Sequence, residues 1–251
     1  MTQQTLTRLR HLKLNGMADA VQQQLEQAST YEGLPFIERL SLLVEHEQLS
    51  REQRKQARLV KQARLKLQAT VQEVDYQSAR NLERSQVANL AQGEWLRRGQ
   101  NLLITGPCGC GKTYLACALG YQACQQGHST RYYRLPRLLL ELSQAKVDGS
   151  YARLLGQLAR IELLILDDWG LEAVNAEQRN ALLEIMDDRY GKYSTVVVSQ
   201  LPTEEWYASL GDNTLADAIL DRLMHNAHRL SLKGESMRKR RSELTQSEHS
   251  S

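Results

Sequence analysis

The chain has 251 residues, with 32 Lys and Arg against 29 Asp and Glu and a formal net charge of +3. Hydrophobic residues make up 41% and charged residues 24%, the proportions of a globular protein able to bury one large core and a smaller one. No apolar run reaches the length of a membrane span and Met1-Thr2-Gln3-Gln4 does not open a signal peptide, so a cytoplasmic chain without membrane contact is expected; so small a net charge leaves any nucleic-acid argument to local clusters.

The first seventy or so residues read as helices. Leu6, Leu9, Leu12, Leu14, Met17, Val21 and Leu25 keep an approximate helical spacing, with an expected interruption near Asn15-Gly16. Gly33-Leu34-Pro35 marks a break, and Pro35 suits the first turn of a new helix. There Phe36, Leu40, Leu43, Val44 and Glu47 follow a 3.6-residue period. The pattern then turns basic: Arg51, Arg54, Lys55, Arg58, Lys61, Arg64 and Lys66 stand against a lone acid, Glu52. Cations three and four apart form a continuous face, which is either a solvated helix surface or a stripe that follows a phosphate backbone. Residues 71–100 are polar and weakly periodic, and are expected to be a linker with a short helix and Trp95-Leu96 packed at its end.

An apolar strand, Leu102 to Thr105, then runs into Gly106-Pro107-Cys108-Gly109-Cys110-Gly111-Lys112-Thr113, and a helical run leaves it. This is the G-x-x-x-x-G-K-[ST] phosphate loop in the strand–loop–helix setting that gives it meaning. Glycines let successive N–H groups turn inward toward phosphate oxygens, and the helix N-terminus adds its dipole. Lys112 is expected to reach the β- and γ-phosphates of ATP, and the Thr113 hydroxyl to ligate Mg²⁺. Cys108, Cys110, Cys117 and Cys124 lack the paired spacing of zinc sites and are expected to be reduced thiols.

A second strand is expected at Thr130 to Tyr133 and a leucine-rich helix from Pro136 to Lys146. Ile161 to Leu166 is an apolar run suited to a strand buried on both faces, and it ends in Asp167-Asp168. Asp167 is expected to hold Mg²⁺, directly or through water, and Asp168 to polarise the attacking water. Ala176 to Tyr190 reads as a helix with Asp187 and Asp188 facing solvent. Thr195 to Val198 reads as a strand that delivers a polar end, Ser199-Gln200, to the phosphates. Asp221-Arg222-Leu223 closes a further helical segment, and His228 to Leu232 reads as a last strand. His225 and His228 have no partner ligands in the sequence and are expected to be structural. Arg238-Lys239-Arg240-Arg241 is a basic patch before a Ser- and Gln-rich tail expected to be disordered. Alternation of strands and helices from residue 101 predicts a doubly wound α/β sheet. The expected division is therefore a helical domain at 1–70, a linker at 71–100, a nucleotide-binding domain at 101–240 and a tail at 241–251.

The ordered set of the phosphate loop, Leu163-Leu164-Ile165-Leu166-Asp167-Asp168-Trp169-Gly170, Val198-Ser199-Gln200-Leu201-Pro202 and Asp221-Arg222-Leu223 resembles the AAA+ ATPases of the helicase-loader clade. More closely, the chain resembles the IstB-like helper ATPases of bacterial insertion sequences. Leu12-Lys13-Leu14-Asn15-Gly16-Met17-Ala18, Phe36-x-x-Arg39-Leu40-x-Leu42-Leu43, Lys61-Gln62-Ala63-Arg64-Leu65 and Gly234-Glu235-Ser236-Met237-Arg238 extend the likeness to about Arg241.

The resemblance implies an α/β AAA+ core with a five-stranded parallel sheet behind a small all-α domain. It also implies ATP-dependent self-assembly on double-stranded DNA and recruitment of a cognate transposase in a bacterial cytoplasm. By position it makes Asp167 the metal residue, Gln200 the sensor and Arg222 the arginine finger that completes a neighbour's site. Asp168 stands where many AAA+ proteins carry Glu, which predicts slow water activation. A plain ion pair of Arg222 with Asp221 or Asp217 is the alternative to a finger. Arg51, Arg54, Lys55, Arg58, Lys61, Arg64, Arg238 and Lys239 are the candidate DNA contacts, and Arg238 is alternatively a second sensor. A DnaC-type loader of the replicative helicase shares the core and would prefer single strands. A small-molecule P-loop kinase would act as a monomer, and no arginine-rich lid supports it.

Overall fold

The computed structural model describes residues 2–76, 80–211, 213–234, 236 and 237. It separates into two compact units, Met1–Arg58 and Leu59–Ser251. The basic tail expected to be disordered, with Arg238 and Lys239, lies outside the described residues.

In the first unit α1 (Thr2–His11), α2 (Asn15–Glu26) and a single turn, α3 (Ala28–Tyr31), lead into α4 (Phe36–Ala63), within which the division falls. The expected interruption at Asn15-Gly16 is displaced: the break is Leu12 to Leu14, where Lys13 has φ of 60°. Gly16 instead sits inside the first turn of α2, where a Cβ would lie 2.8 Å from the Glu47 Cα; glycine is there for close helix approach. Glu47 does occupy the inward face of α4, but as an acceptor among polar donors. Its Oε2 takes the Met17 N–H at 3.0 Å and its Oε1 takes Arg51 Nε at 2.6 Å, with Arg54 Nη2 3.5 Å away. Gln24 and Arg39 bind one another at 3.1 and 3.2 Å through side chain and carbonyl. With small apolar residues such as Ala18 and Ala20 in its interior, this unit is keyed by hydrogen bonds more than by bulk.

The second unit continues with α5 (Arg84–Ala91), α6 (Glu94–Arg97), β1 (Asn101–Thr105), α7 (Lys112–Gln125), β2 (Thr130–Arg134), α8 (Leu135–Val147) and α9 (Tyr151–Leu158). Then come β3 (Leu163–Trp169), α10 (Ala176–Arg189), β4 (Ser194–Ser199), α11 (Trp206–Leu210), α12 (Asn213–Met224) and β5 (Ala227–Ser231). The strands form one parallel five-stranded sheet in the order β2-β3-β4-β1-β5. Residues alternate between its faces. Leu102, Ile104, Ile165, Val196 and Val198 pack beneath α7, while Leu103, Leu164, Leu166 and Val197 pack against the layer of α8 to α12. Both faces are covered, which is why the strands read as unbroken apolar runs. Because β1 and β3 flank β4, the loops leaving β1 and β3 open on the same edge, the usual ligand edge of such a sheet.

Residues 71–100 differ from the linker expected. Val74, Leu82, Val87, Leu90, Trp95 and Leu96 are buried in the cluster that covers α7 and its face of the sheet, and Trp95 Nε1 donates to Leu90 O at 2.8 Å. Apolar residues this widely spaced show no period in sequence, yet nearly all of them go inside. The segment is part of the second unit.

Burial alone would raise the Glu47 carboxyl, but the Arg51 hydrogen bond and the Met17 N–H outweigh it and hold the group below its usual value. A depressed folded value contributes stability above the unfolded value, about 4.3, that is lost as pH falls through the folded one. Glu47→Gln should therefore destabilise the first unit by about 2 kcal/mol at neutral pH. Hydrogen exchange of α2 and α4 amides should show that difference from wild type shrinking as the pH drops below about 4.

Candidate functional site

The phosphate loop leaves β1 and closes onto α7 exactly one helical start later, at Gly111, which caps the helix in a left-handed conformation with φ of 95°. No L-residue holds that angle without strain. Lys112 is buried, and its ammonium donates to the carbonyls of Gly106 at 2.7 Å and Pro107 at 2.8 Å, so it lies folded across the mouth of the loop. Cys110 is buried beneath it and Cys108 is exposed; both are free thiols.

The register of β1 and β3 about β4 brings the second motif alongside. Asp167 is 2% exposed and its Oδ2 accepts from Thr113 Oγ1 at 2.9 Å and from Tyr132 OH at 2.6 Å, with Lys66 Nζ 3.8 Å away. Its Oδ1 takes the Asp168 N–H at 2.9 Å. Burial first, and then the bond to Asp167, raise the Tyr132 hydroxyl well above its usual value, so it stays a donor. A hydroxyl and a carboxylate oxygen converging at this edge are the hard donors that Mg²⁺ takes, and the set fits that ion. Asp168 has φ of 63° and sits where β3 shifts register against β4, between Leu166 and Trp169. The irregularity turns two consecutive carboxylates to one edge, where a regular strand would send them to opposite faces. Asp168 Oδ2 accepts from Arg134 Nε at 2.5 Å.

A cavity of about 300 Å³ adjoins the loop, lined by Leu67, Glu73, Arg80, Gly111, Thr113 and Tyr114 among others. That is the smaller end of the range for ligand pockets. The model of the IstB-like ATP binding protein family matches residues 7–245. The chain belongs to this family. It is 48% identical over 235 residues to an insertion sequence ATP-binding protein of Sinorhizobium fredii, covering 94% of this chain and 96% of that one. It is 48% identical over 204 residues to the ATP-binding protein of insertion sequence IS1162 from Pseudomonas fluorescens, covering 81% and 88%. In fold it is similar to the crystal structure of the DnaC helicase loader, with a TM-score of 0.57 at 20% identity over 66% of this chain and 97% of that one.

The other expected residues of this IstB-like chain are scattered. Gln200 follows β4 directly and is exposed, one residue beyond Ser199, which pairs in register with Thr105 at the root of the loop. Arg222 lies at the opposite, amino-terminal edge of the sheet, where its carbonyl accepts from Asn101 Nδ2 at 3.1 Å. Its guanidinium is paired, but with Asp187 of α10, not with Asp221 or Asp217. Asp187 is half exposed as expected and has that one cation as its partner. His228 bonds Gln100 at 3.0 Å, and no cluster of potential metal ligands is found among the described residues.

On the first unit Arg51, Arg54, Lys55 and Arg58 line a shallow concavity of about 490 Å³ together with Lys13. Arg51 and Arg54 also hold Glu47, which leaves the net charge of the hollow carried chiefly by Lys13, Lys55 and Arg58. Lys61 and Arg64 are exposed residues of the second unit.

Sequence reading passed over Lys13, Arg134, Tyr132, Lys66 and Arg80. Each acts through a partner thirty or more residues away or through a turn conformation, so no local spacing marks it. Lys66 reads only as the last cation of the basic run, and Arg134, just past the strand expected at Thr130 to Tyr133, pairs in register with Asp167.

Gly106 has φ of 142°, and a Cβ there would come within 2.3 Å of the Leu232 carbonyl oxygen, a backbone atom that cannot swing away. Gly106→Ala should cost about 3 kcal/mol of folding stability, seen as a lowered melting temperature before any ligand is added.

Proposed function

We propose that this chain is an ATP-hydrolysing helper of a bacterial insertion sequence. It binds ATP, assembles with further copies of itself on duplex DNA, marks a target segment and recruits the cognate transposase, and hydrolysis dissolves the assembly. The observation that carries the reading is the meeting of Thr113 and Asp167 at 2.9 Å beside Lys112, with Asp168 turned to the same edge. Relatives named for insertion sequences match over nearly the whole chain, whereas the DnaC likeness is one of fold, and this favours the transposition reading over the helicase-loader one.

Thr113 and Asp167 would hold Mg²⁺, which screens the charge on the β- and γ-phosphates. Lys112 exchanges two loop carbonyls for phosphate oxygens. Asp168 is the base that takes the proton of the water attacking the γ-phosphorus. While Arg134 holds that carboxylate, its aim is wrong for the task, so resting turnover is slow. Gln200 is placed to orient the water or the γ-phosphate. Arg222 cannot serve the nucleotide of its own chain: the length of β1, roughly 17 Å, separates the two edges of the sheet. It acts across an interface between copies or not at all.

The basic hollow on the first unit supplies phosphate contacts that release counterions, so binding should weaken steeply with salt. In fluorescence anisotropy at one fixed salt concentration, labelled duplex should bind cooperatively with ATP and Mg²⁺, and not after Lys112→Ala. Binding confined to single strands would instead support a helicase loader. Arg222→Ala should bind ATP normally yet lower phosphate release in the DNA-bound assembly by about a thousandfold. Normal turnover in that variant would end the finger assignment.

A further inference from the structure

Arg80 belongs to the stretch before β1 that reads as featureless in sequence, and it is 6% exposed. Its Nη1 donates to the carbonyl of Cys110 in the phosphate loop at 3.2 Å. Among the described residues its Nε and Nη2 find no hydrogen-bond partner. No carboxylate among the described residues forms an ion pair with it. A guanidinium that has lost its water on two nitrogens and gained no anion is a costly thing to bury. The rest of the unit shows what a satisfied one looks like: Arg189, buried more deeply still, donates to the carbonyls of Leu158, Ile161 and Ser194 and to Thr195 Oγ1.

The position of Arg80 says what would satisfy it. It lines the cavity of about 300 Å³ that adjoins the loop. Its Nη1 stands 2.7 Å from where a Cβ of Gly111 would be, so glycine at 111 admits the guanidinium as well as the turn. Backbone bonds fix the residue from outside the loop: Arg80 O accepts from Lys233 N at 2.9 Å, and Asn81 Nδ2 donates to Ser231 O at 3.0 Å. Lys112 covers the Gly106-Pro107 side of the loop, and Thr113 faces Asp167. Arg80 covers the remaining side, the Cys110-Gly111 shoulder from which α7 begins, where loop and cavity meet. A nucleotide seated with its β-phosphate in the loop and its nucleoside in the cavity has its α-phosphate at that junction.

We propose that Arg80 is an α-phosphate donor of the nucleotide site, supplying from the segment before β1 a cation that the phosphate-loop motif does not encode. The proposal rests on the reading that this chain binds ATP. In this role Arg80 engages ADP and AMP as well as ATP, because all three carry the α-phosphate, and it makes no contact with adenosine.

The test is competition by ATP, ADP, AMP and adenosine against a fluorescent ADP analogue, on the full chain, with melting temperatures recorded without nucleotide. Arg80→Met keeps the length and removes the charge. It should weaken ADP and AMP alike by about ten- to a hundredfold, leave adenosine unchanged, and leave the nucleotide-free melting temperature equal or raised. Arg80→Lys, which keeps a cation in place, should fall between the two. Unchanged ADP and AMP affinity would overturn the proposal. So would a loss shared by adenosine, or a fall in nucleotide-free melting temperature that makes Arg80 a mere brace for the Cys110 carbonyl. Wild-type chain that binds none of the four would sink the ATP reading itself, whereas wild-type binding matched by Arg80→Met would sink only the assignment of Arg80.

Discussion

The carboxylate of Asp167 is the constraint around which the second unit is built. A charge buried to 2% exposure is tolerable only if donors surround it, and here they come from four directions. Thr113 reaches it from α7, Tyr132 from β2, the Asp168 amide from the irregularity in β3, and Lys66 from the chain just past α4. The three side-chain donors each fix a different part of the chain against β3. The sheet order follows the same demand: β2 beside β3 brings Tyr132 and Arg134 to the acids, and β4 alone separates β3 from the strand that feeds the phosphate loop. A hard cation entering between Thr113 and Asp167 would meet a set of oxygens already pointed at it.

A second regularity concerns the charged groups that the chemistry would use. Lys112 lies on loop carbonyls, Asp168 on Arg134, and Arg222 on Asp187. These partners differ in strength. The Arg222–Asp187 pair has side chains 30% and 48% exposed, and exposed pairs contribute only about 0–1 kcal/mol. A docking subunit that offered a polyphosphate could take Arg222 at almost no cost. In the Arg134–Asp168 pair the cation is 41% exposed and the acid 17%, so there the acid is the more enclosed partner.

Much of this was readable without coordinates because it is local. The phosphate loop announces itself through glycines whose backbone angles exclude other residues, and β3 through an apolar run that only a doubly covered strand can carry. The helix around Ala176 to Arg189, the strand at Ser194 to Ser199 and the order of elements follow from the same patterns. What stayed hidden is long-range. Gly16 looks like a helix breaker until α4 is seen against it, and Glu47 reads as one more position of the helical period until its donors, Met17 from α2 and Arg51 from α4, are seen. Residues 71–100 look like a linker because their apolar residues bury one at a time against α7 and leave no period to detect. Arg80, Tyr132 and Arg134 carry ordinary polar letters, and only the fold reveals that one is buried unpaired and the others clasp the two acids.

The two edges of the sheet then impose a direction on function. Everything that can hold a nucleotide gathers at the carboxyl ends of the strands, and Arg222 stands at the amino ends beside Asn101. Within one chain these features are too far apart to cooperate, so an Arg222 that served a nucleotide would have to serve that of another copy, through a contact between unlike faces. Such a heterologous contact does not limit itself to a pair. It closes into a ring if the rotation between copies allows, and otherwise continues as a helix.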